Sequence, residues 1–130
     1  MKAATRTKYG GPEVLTVKEI DKPVPKENEV LIRVHATTVN RTDCGILWGK
    51  PFIIRFFLGL PHPKHRVPGT DFAGEVVEAG KKVKDFKPGD RVWGFDDTGI
   101  QSQAEFMAFP EDKGIATIPQ GISVEEAAAS

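Results

Sequence analysis

The strongest constraint on this chain is how often glycine and proline interrupt it. Thirteen Gly and ten Pro in 130 residues leave only short stretches between turns. Most apolar stretches alternate rather than follow a helical stripe. Glu29-Val30-Leu31-Ile32-Arg33-Val34-His35-Ala36 is the clearest: Val30, Ile32, Val34 and Ala36 share one face, and Arg33 and His35 the other. That is the pattern of a half-buried strand. Further strands are expected at Lys2–Tyr9 and Val14–Ile20, on either side of Gly10-Gly11-Pro12. Phe72–Ala79, Arg91–Phe95, Ala104–Phe109 and Gly114–Ile118 complete the set, divided by turn sequences such as Lys87-Pro88-Gly89-Asp90. Short strands at this spacing predict a mainly β domain, a barrel or sandwich rather than alternating βαβ units.

Two segments break the pattern. Asn40 to Gly49 reads as a short helix, with Asn40 as N-cap, Asp43 in the first turn and Gly49 as the stop. Near the end, Ser123-Val124-Glu125-Glu126 is an S-x-x-E capping box followed by Ala127-Ala128-Ala129. Residues 1–122 are therefore expected to form one domain, and 123–130 to begin a helix leading into a second.

Composition excludes several classes. Eighteen Lys+Arg balance eighteen Asp+Glu, so no net field attracts nucleic acid or an anionic membrane. The longest apolar run, Phe52 to Leu60, is broken by Arg55 and falls far short of the roughly 20 residues that span a bilayer. Met1–Arg6 carries no apolar core of a signal peptide, so the cytoplasm is the expected location. Cys44 is the single cysteine, which excludes an intrachain disulfide; it reads as a buried, inert thiol rather than a nucleophile.

Candidate chemistry divides into weak and strong signals. Gly69-Thr70-Asp71-Phe72-Ala73-Gly74 has glycines at P-loop spacing, but Glu75 and Val76 stand where Lys and Ser/Thr are needed. The glycines read instead as a turn and bulge entering a strand. His62 and His65 are spaced as metal ligands, yet Lys64 and Arg66 beside them would repel a dication, and the segment reads as a solvated basic loop. Asn40-Arg41-Thr42-Asp43 reads both as a capping motif and as a site: a helix start with Arg41 nearby suits an anion, Thr42 offers a hydroxyl and Asn40 an amide. Trp48 to Leu60 holds Trp48, Phe52, Phe56 and Phe57, either as a segment closing the core or as an apolar wall of a substrate pocket.

Gly69-Thr70-Asp71-Phe72-Ala73-Gly74-Glu75-Val76-Val77-Glu78-Ala79-Gly80, continuing through Val83, Phe86 and Gly89-Asp90-Arg91-Val92-Trp93-Gly94, resembles the medium-chain dehydrogenase/reductase superfamily. With Pro23-Val24-Pro25, Val39-Asn40-Arg41-Thr42-Asp43 and Glu125-Glu126-Ala127-Ala128, it is similar to the zinc-independent quinone oxidoreductase-like branch. The resemblance implies a GroES-like, partly open β-barrel with short helices, cut before a Rossmann domain, and an active site in the cleft between the two. Asn40 stands where zinc alcohol dehydrogenases have a cysteine ligand, and Thr70 where they have the histidine of Gly-His-Glu, which implies no zinc. Asp71 keeps a carboxylate behind that position.

By the same resemblance, Asn40, Thr42 and Asp43 are the catalytic candidates, Asn40, Arg41 and Thr42 face the cofactor, and Trp48 and Phe52 touch substrate. NADP(H) is favoured over NAD(H), held mainly by the absent domain. The implied reaction is hydride transfer to a small apolar quinone, enone or carbonyl, in a full-length homodimer. The proton donor stays open among Thr42, a cofactor hydroxyl and water: the loop offers Lys50 but no tyrosine, and Tyr9 lies near the N-terminus. A stand-alone GroES-like binding module and a zinc alcohol dehydrogenase domain with unorthodox ligands remain as alternatives.

Overall fold

In the computed structural model, which describes residues 1–96 and 99–130, seven strands and three short helices follow the turn-punctuated plan. Strands β3 (Glu29–Ala36), β4 (Asp71–Ala79), β5 (Arg91–Phe95), β6 (Phe106–Pro110) and β7 (Ile115–Thr117) form one antiparallel sheet in the order β6-β3-β4-β5-β7. The outer strands β6 and β7 do not pair with each other, so the sheet is an open one. A separate hairpin, β1 (Lys2–Thr5) with β2 (Thr16–Glu19), is joined by an Ala3–Ala104 bridge to the segment leading into β6.

The core lies on the sheet face carrying Val30 and Ile32 of β3, Phe72 and Val76 of β4, Val92 of β5, and Met107 and Phe109 of β6. These β-branched and aromatic side chains suit a pleated surface, and the Phe72 and Phe109 rings meet edge to face at 5.2 Å. Leu31, on the other face of β3, is also fully buried, so that strand is covered on both sides at its start rather than half-buried throughout. The pairing of β3 with β4 shifts register between Leu31 and Ile32 and again between Val34 and Ala36. Such irregularities bend a strand and steepen its twist, which curls an open sheet toward a barrel.

Both predicted helices form at their predicted caps. Helix α1 (Arg41–Trp48) runs from Asn40 to Gly49, whose φ of 64° is a left-handed conformation that glycine adopts without strain. Helix α3 (Val124–Ala128) starts at Ser123, where the Glu126 amide donates to the Ser123 hydroxyl at 3.1 Å and the Ser123 amide donates to Glu126 Oε2 at 2.9 Å. An isolated helix of five residues would not persist in water. Here α3 buries Ala127 and Ala128 against Ala73 and Ile118, on the side of the sheet away from the main core.

The ends of several strands differ from expectation. Strand β1 stops at Thr5, because the Arg6 amide leaves the hairpin to donate to Arg66 O at 2.8 Å. Strand β2 starts at Thr16 because Pro12–Val14 closes into a 3₁₀ turn, with proline supplying the fixed φ of its first position. All four residues of β2 are exposed, so the hairpin adds little to the core. Trp48 to Leu60 does not close the core either. After a 3₁₀ turn at Phe52–Ile54 and the single-turn helix α2 (Arg55–Leu58), it leaves Phe52, Ile53, Phe56 and Phe57 exposed.

Gly69 enters β4 with a φ of 122°, and a Cβ there would run into Ser102 Oγ and lie 2.7 Å from the Ser102 amide nitrogen. Gly69→Ala is therefore expected to cost about 1–3 kcal/mol, through overpacking and a conformation that L side chains resist. In urea unfolding the midpoint drops while the slope stays unchanged. A midpoint equal to the wild type refutes the close approach.

Candidate active site

The site is built where the start of α1 meets the start of β4. Strand β3 ends at Ala36, and Thr37 to Asn40 carry the chain into α1, opposite Thr70 and Asp71. Asn40 ties the two segments together. Its side-chain oxygen accepts from the Thr42 and Asp43 amides at 2.8 and 3.1 Å. Its side-chain nitrogen donates to Thr70 Oγ1 at 3.0 Å and to Asp71 Oδ2 at 3.3 Å. An amide has two acceptor positions and two hydrogens. All four are used within the protein, so Asn40 positions its neighbours and has no hydrogen left for a ligand carbonyl.

Around it lies a continuous polar network. Asp43, the N3 residue of the capping box, accepts from the Asn40 amide at 2.9 Å and from Thr70 Oγ1 at 3.1 Å. Asp71 accepts from the Thr38 amide at 2.7 Å, from the Thr38 hydroxyl and from Thr37 Oγ1 at 3.2 Å. Thr37 Oγ1 also donates to Asp71 O at 2.8 Å and lies 3.1 Å from Ser102 Oγ. Asp43 is 4% exposed, Asp71 7% and Thr70 0%. Buried polar groups need partners, and among the described residues these carboxylates have hydroxyl and amide partners.

Burial is the largest influence on Asp43 and pushes its carboxyl above the ordinary aspartate range. The Asn40 amide and Thr70 hydroxyl oppose this by bonding to the charged form, while the Asp71 carboxylate adds to the rise.

Thr42 differs from its neighbours. It is half-buried, and among the described residues its hydroxyl has no partner. It lines an open cavity of about 640 Å³ together with Gly45, Ile46, Lys50, Ile54, Phe57 and Leu58. Two polar side chains, Thr42 and Lys50, on an otherwise apolar wall are the usual composition of a small-molecule site. Arg41 is exposed and unpaired among the described residues at the helix start, where the α1 dipole adds positive potential. Trp48 and Phe52 do not line this cavity. Trp48 lies along Gly11 with Lys50 Nζ 5.2 Å from its ring, and Phe52 stands edge-on to Phe56 with Arg55 beside it. Ile54, Phe57 and Leu58 line it instead, with Phe57 at its open side.

The far end of α1 is held by two arginines that the sequence pattern does not single out. Arg6 is buried, and its Nη1 donates to Ile46 O at 2.7 Å and Leu47 O at 3.2 Å. Arg55 donates to Gly49 O at 3.0 Å and Trp48 O at 3.2 Å. Cations on the last carbonyls satisfy otherwise orphaned acceptors and complement the helix dipole. The Tyr9 ring lies near both guanidinium groups, at 5.4 Å from Arg6 and 4.6 Å from Arg55, and its hydroxyl donates to Gly59 O at 2.7 Å. Tyr9 is thus a structural tie between the N-terminal segment and the end of α2.

Cys44 is exposed rather than buried as expected, because Asp43 and Ile46 take the inward face of α1 and turn Cys44 outward. His62 and His65 sit exposed in their loop, and among the described residues no three His, Cys, Asp or Glu side chains converge as metal ligands. None of the described helices is long and apolar enough to cross a membrane.

The raised pKa of Asp43 has a signed consequence for stability. Between the ordinary aspartate pKa of the unfolded chain and the raised native one, the folded state binds more protons than the unfolded state. Stability therefore falls as pH rises through that window and levels off above it. Asp43→Asn lacks this titration, at a pH-independent cost of about 1 kcal/mol for an acceptor it cannot replace. Denaturant unfolding across acid to neutral pH is expected to show the wild type losing its advantage over Asp43→Asn as pH rises. A difference that is flat or grows with pH contradicts the assignment.

Comparison with known proteins agrees with this architecture. The model of the alcohol dehydrogenase GroES-like domain matches residues 26–120. The chain is 40% identical over 131 residues to a chloroplast envelope quinone oxidoreductase homolog of Arabidopsis thaliana, covering 99% of the chain and 38% of that protein. It is 37% identical to the quinone oxidoreductase of Sus scrofa, covering 99% of the chain and 37% of the relative. The quinone oxidoreductase of Coxiella burnetii superposes with a TM-score of 0.85 at 30% identity, over 100% of this chain and 40% of that one. The Escherichia coli quinone oxidoreductase solved with NADPH gives 0.83 at 33% identity, over 100% and 37%. The chain therefore spans about two-fifths of the length of these relatives. Those relatives are named as quinone oxidoreductases or a homolog of one, and the chain itself belongs to the GroES-like domain family of alcohol dehydrogenases.

Proposed function

We propose that this chain is the substrate-facing domain of an NADPH-dependent oxidoreductase that reduces a small apolar quinone, enone or carbonyl compound without zinc, acting with a nucleotide-binding domain outside it. The observation that carries this reading is Thr42. Its hydroxyl, unpartnered among the described residues, stands at the wall of a largely apolar cavity of about 640 Å³, at the start of a helix held at both ends. The Escherichia coli relative was solved with NADPH, and an Arabidopsis thaliana relative, 35% identical, is named as an NADPH-dependent alkenal/one oxidoreductase. That this chain covers 33–38% of such relatives supports the need for a second domain.

The residues present fit a nicotinamide dinucleotide. The exposed Arg41 guanidinium suits an anionic pyrophosphate, and Thr42 suits a carboxamide or carbonyl oxygen beside it. When bound, the reduced nicotinamide supplies the hydride. This chain contributes the rest of the wall. Ile46, Ile54, Phe57 and Leu58 offer an apolar substrate one wall, and Thr42 donates a hydrogen bond to an oxygen on which negative charge develops. Asn40 holds the Thr42 amide and Asp43 holds Asn40, which fixes that hydroxyl before substrate arrives. Zinc is left out because of the donor set. The Asn40 nitrogen presents hydrogens to Thr70 and Asp71 rather than a lone pair, and Thr70 donates its proton to Asp43.

The test is turnover by the full-length protein with NADPH and a panel of quinones, enones and aldehydes. Thr42→Val keeps the β-branched shape and removes the hydroxyl. It is expected to lower kcat by about a hundredfold on the best substrate, with KM little changed. No NADPH oxidation with any member of the panel overturns the proposal, and an unaffected Thr42→Val removes Thr42 from it.

A further inference from the structure

We propose a second ligand site, for a phosphate-bearing small molecule, in the cleft between the β1–β2 hairpin and the segment around Arg66. A cavity of about 390 Å³ opens there, lined by Lys18, Lys64, His65, Arg66, Val67 and Gln101 among others. That volume is within the roughly 300–1,000 Å³ usual for small-molecule sites. It shares no lining residue with the apolar cavity beside Thr42, and none of its lining residues belongs to the Asn40 network.

The charge of this cleft is one-sided. Lys18, Lys64 and Arg66 bring three permanent cations to one concave surface, and among the described residues no Asp or Glu lines it. In a chain whose net charge is zero, that is a local excess. The nearest carboxylate in sequence, Glu19, is paired with the N-terminal ammonium at 3.2 Å. Among the described residues none of the three cations forms an ion pair, whereas Lys82 and Lys87 elsewhere are paired with Glu27 and Asp90. Like charges gathered without counter-charge repel one another, and an anion between them relieves that repulsion.

The backbone fixes the cleft. The Arg6 amide donates to Arg66 O at 2.8 Å, which ties the cation-bearing segment to the end of β1. Val67 is buried beneath the opening. Gln101 has a φ of 61° and is the one non-glycine residue with positive φ among the described residues. Backbone outliers of this kind gather at ligand sites, and here the outlier places an uncharged amide, donor and acceptor both, on the rim of the cation cluster. Three cations, a histidine and an amide around one cleft match the several oxygens of a phosphate or pyrophosphate group better than a single carboxylate.

Titration of the protein with inorganic pyrophosphate, followed by amide NMR shifts, tests this. Saturable shifts are expected at Arg66, Val67 and Gln101, weakening as salt rises. Lys18→Gln and Lys64→Gln, both at exposed positions, are each expected to weaken binding about fivefold, the upper range for a solvent-accessible charge contact. Lys82→Gln, a cation removed from another face, leaves the affinity unchanged. A second titration with NADPH separates the sources of phosphate. Shifts at the same amides point to a dinucleotide, and their absence with pyrophosphate binding retained points to a separate phosphorylated ligand. Non-saturating shifts scattered over many lysines, or equal weakening by Lys82→Gln, overturn the site.

Discussion

The Asn40 side chain is the interaction on which the rest of the site depends. It caps a helix with its oxygen and reaches across to another strand with its nitrogen, so one amide sets both where α1 begins and how far it stands from β4. Helix starts have orphan donors that must be satisfied, and a start that lies under a strand edge cannot rely on water. Using all four positions of one amide meets that need in a space already occupied by two carboxylates. Loss of any partner would leave a buried polar atom unpaired, which costs more than the bond itself contributes.

The opposite end of α1 depends on the same physics with the sign reversed. Arg6 and Arg55 place guanidinium groups on the last carbonyls, and Tyr9 lies close to both arginines. Eight residues of helix contribute little intrinsic stability, so the orientation of Thr42 rests on these two sets of end contacts. Removing Arg6 would alter a site it does not touch. In this fold the wall of the proposed site is a short helix held at its ends rather than one buried along its length.

Much of this was readable in the residues. The cap of α1 at Asn40, its stop at Gly49, the capping box at Ser123 and the span of β5 all follow from local chemistry, because each is decided by neighbours within four positions. The apolar wall was less readable. Trp48 and Phe52 are the conspicuous side chains of their segment, yet Ile54, Phe57 and Leu58 reach the cavity, because a 3₁₀ turn changes the angular step that a helical or strand pattern assumes. Cys44 turned outward for a related reason: apolar character alone does not say which of two helix faces is covered.

The class of the fold, the places of its turns and caps, and the family signature from Gly69 to Gly94 are legible in the residues, since these depend on short-range spacing. Folding alone brings Asn40, Asp43, Thr70, Asp71 and Ser102 into one network, sets Arg6 on a helix forty residues away, and gathers Lys18 with Lys64 and Arg66. Those contacts join segments whose separation along the chain carries no periodic signal. They arise where a twisted sheet brings strand ends and loops to the same edge, and that geometry is a property of the whole fold rather than of any stretch within it.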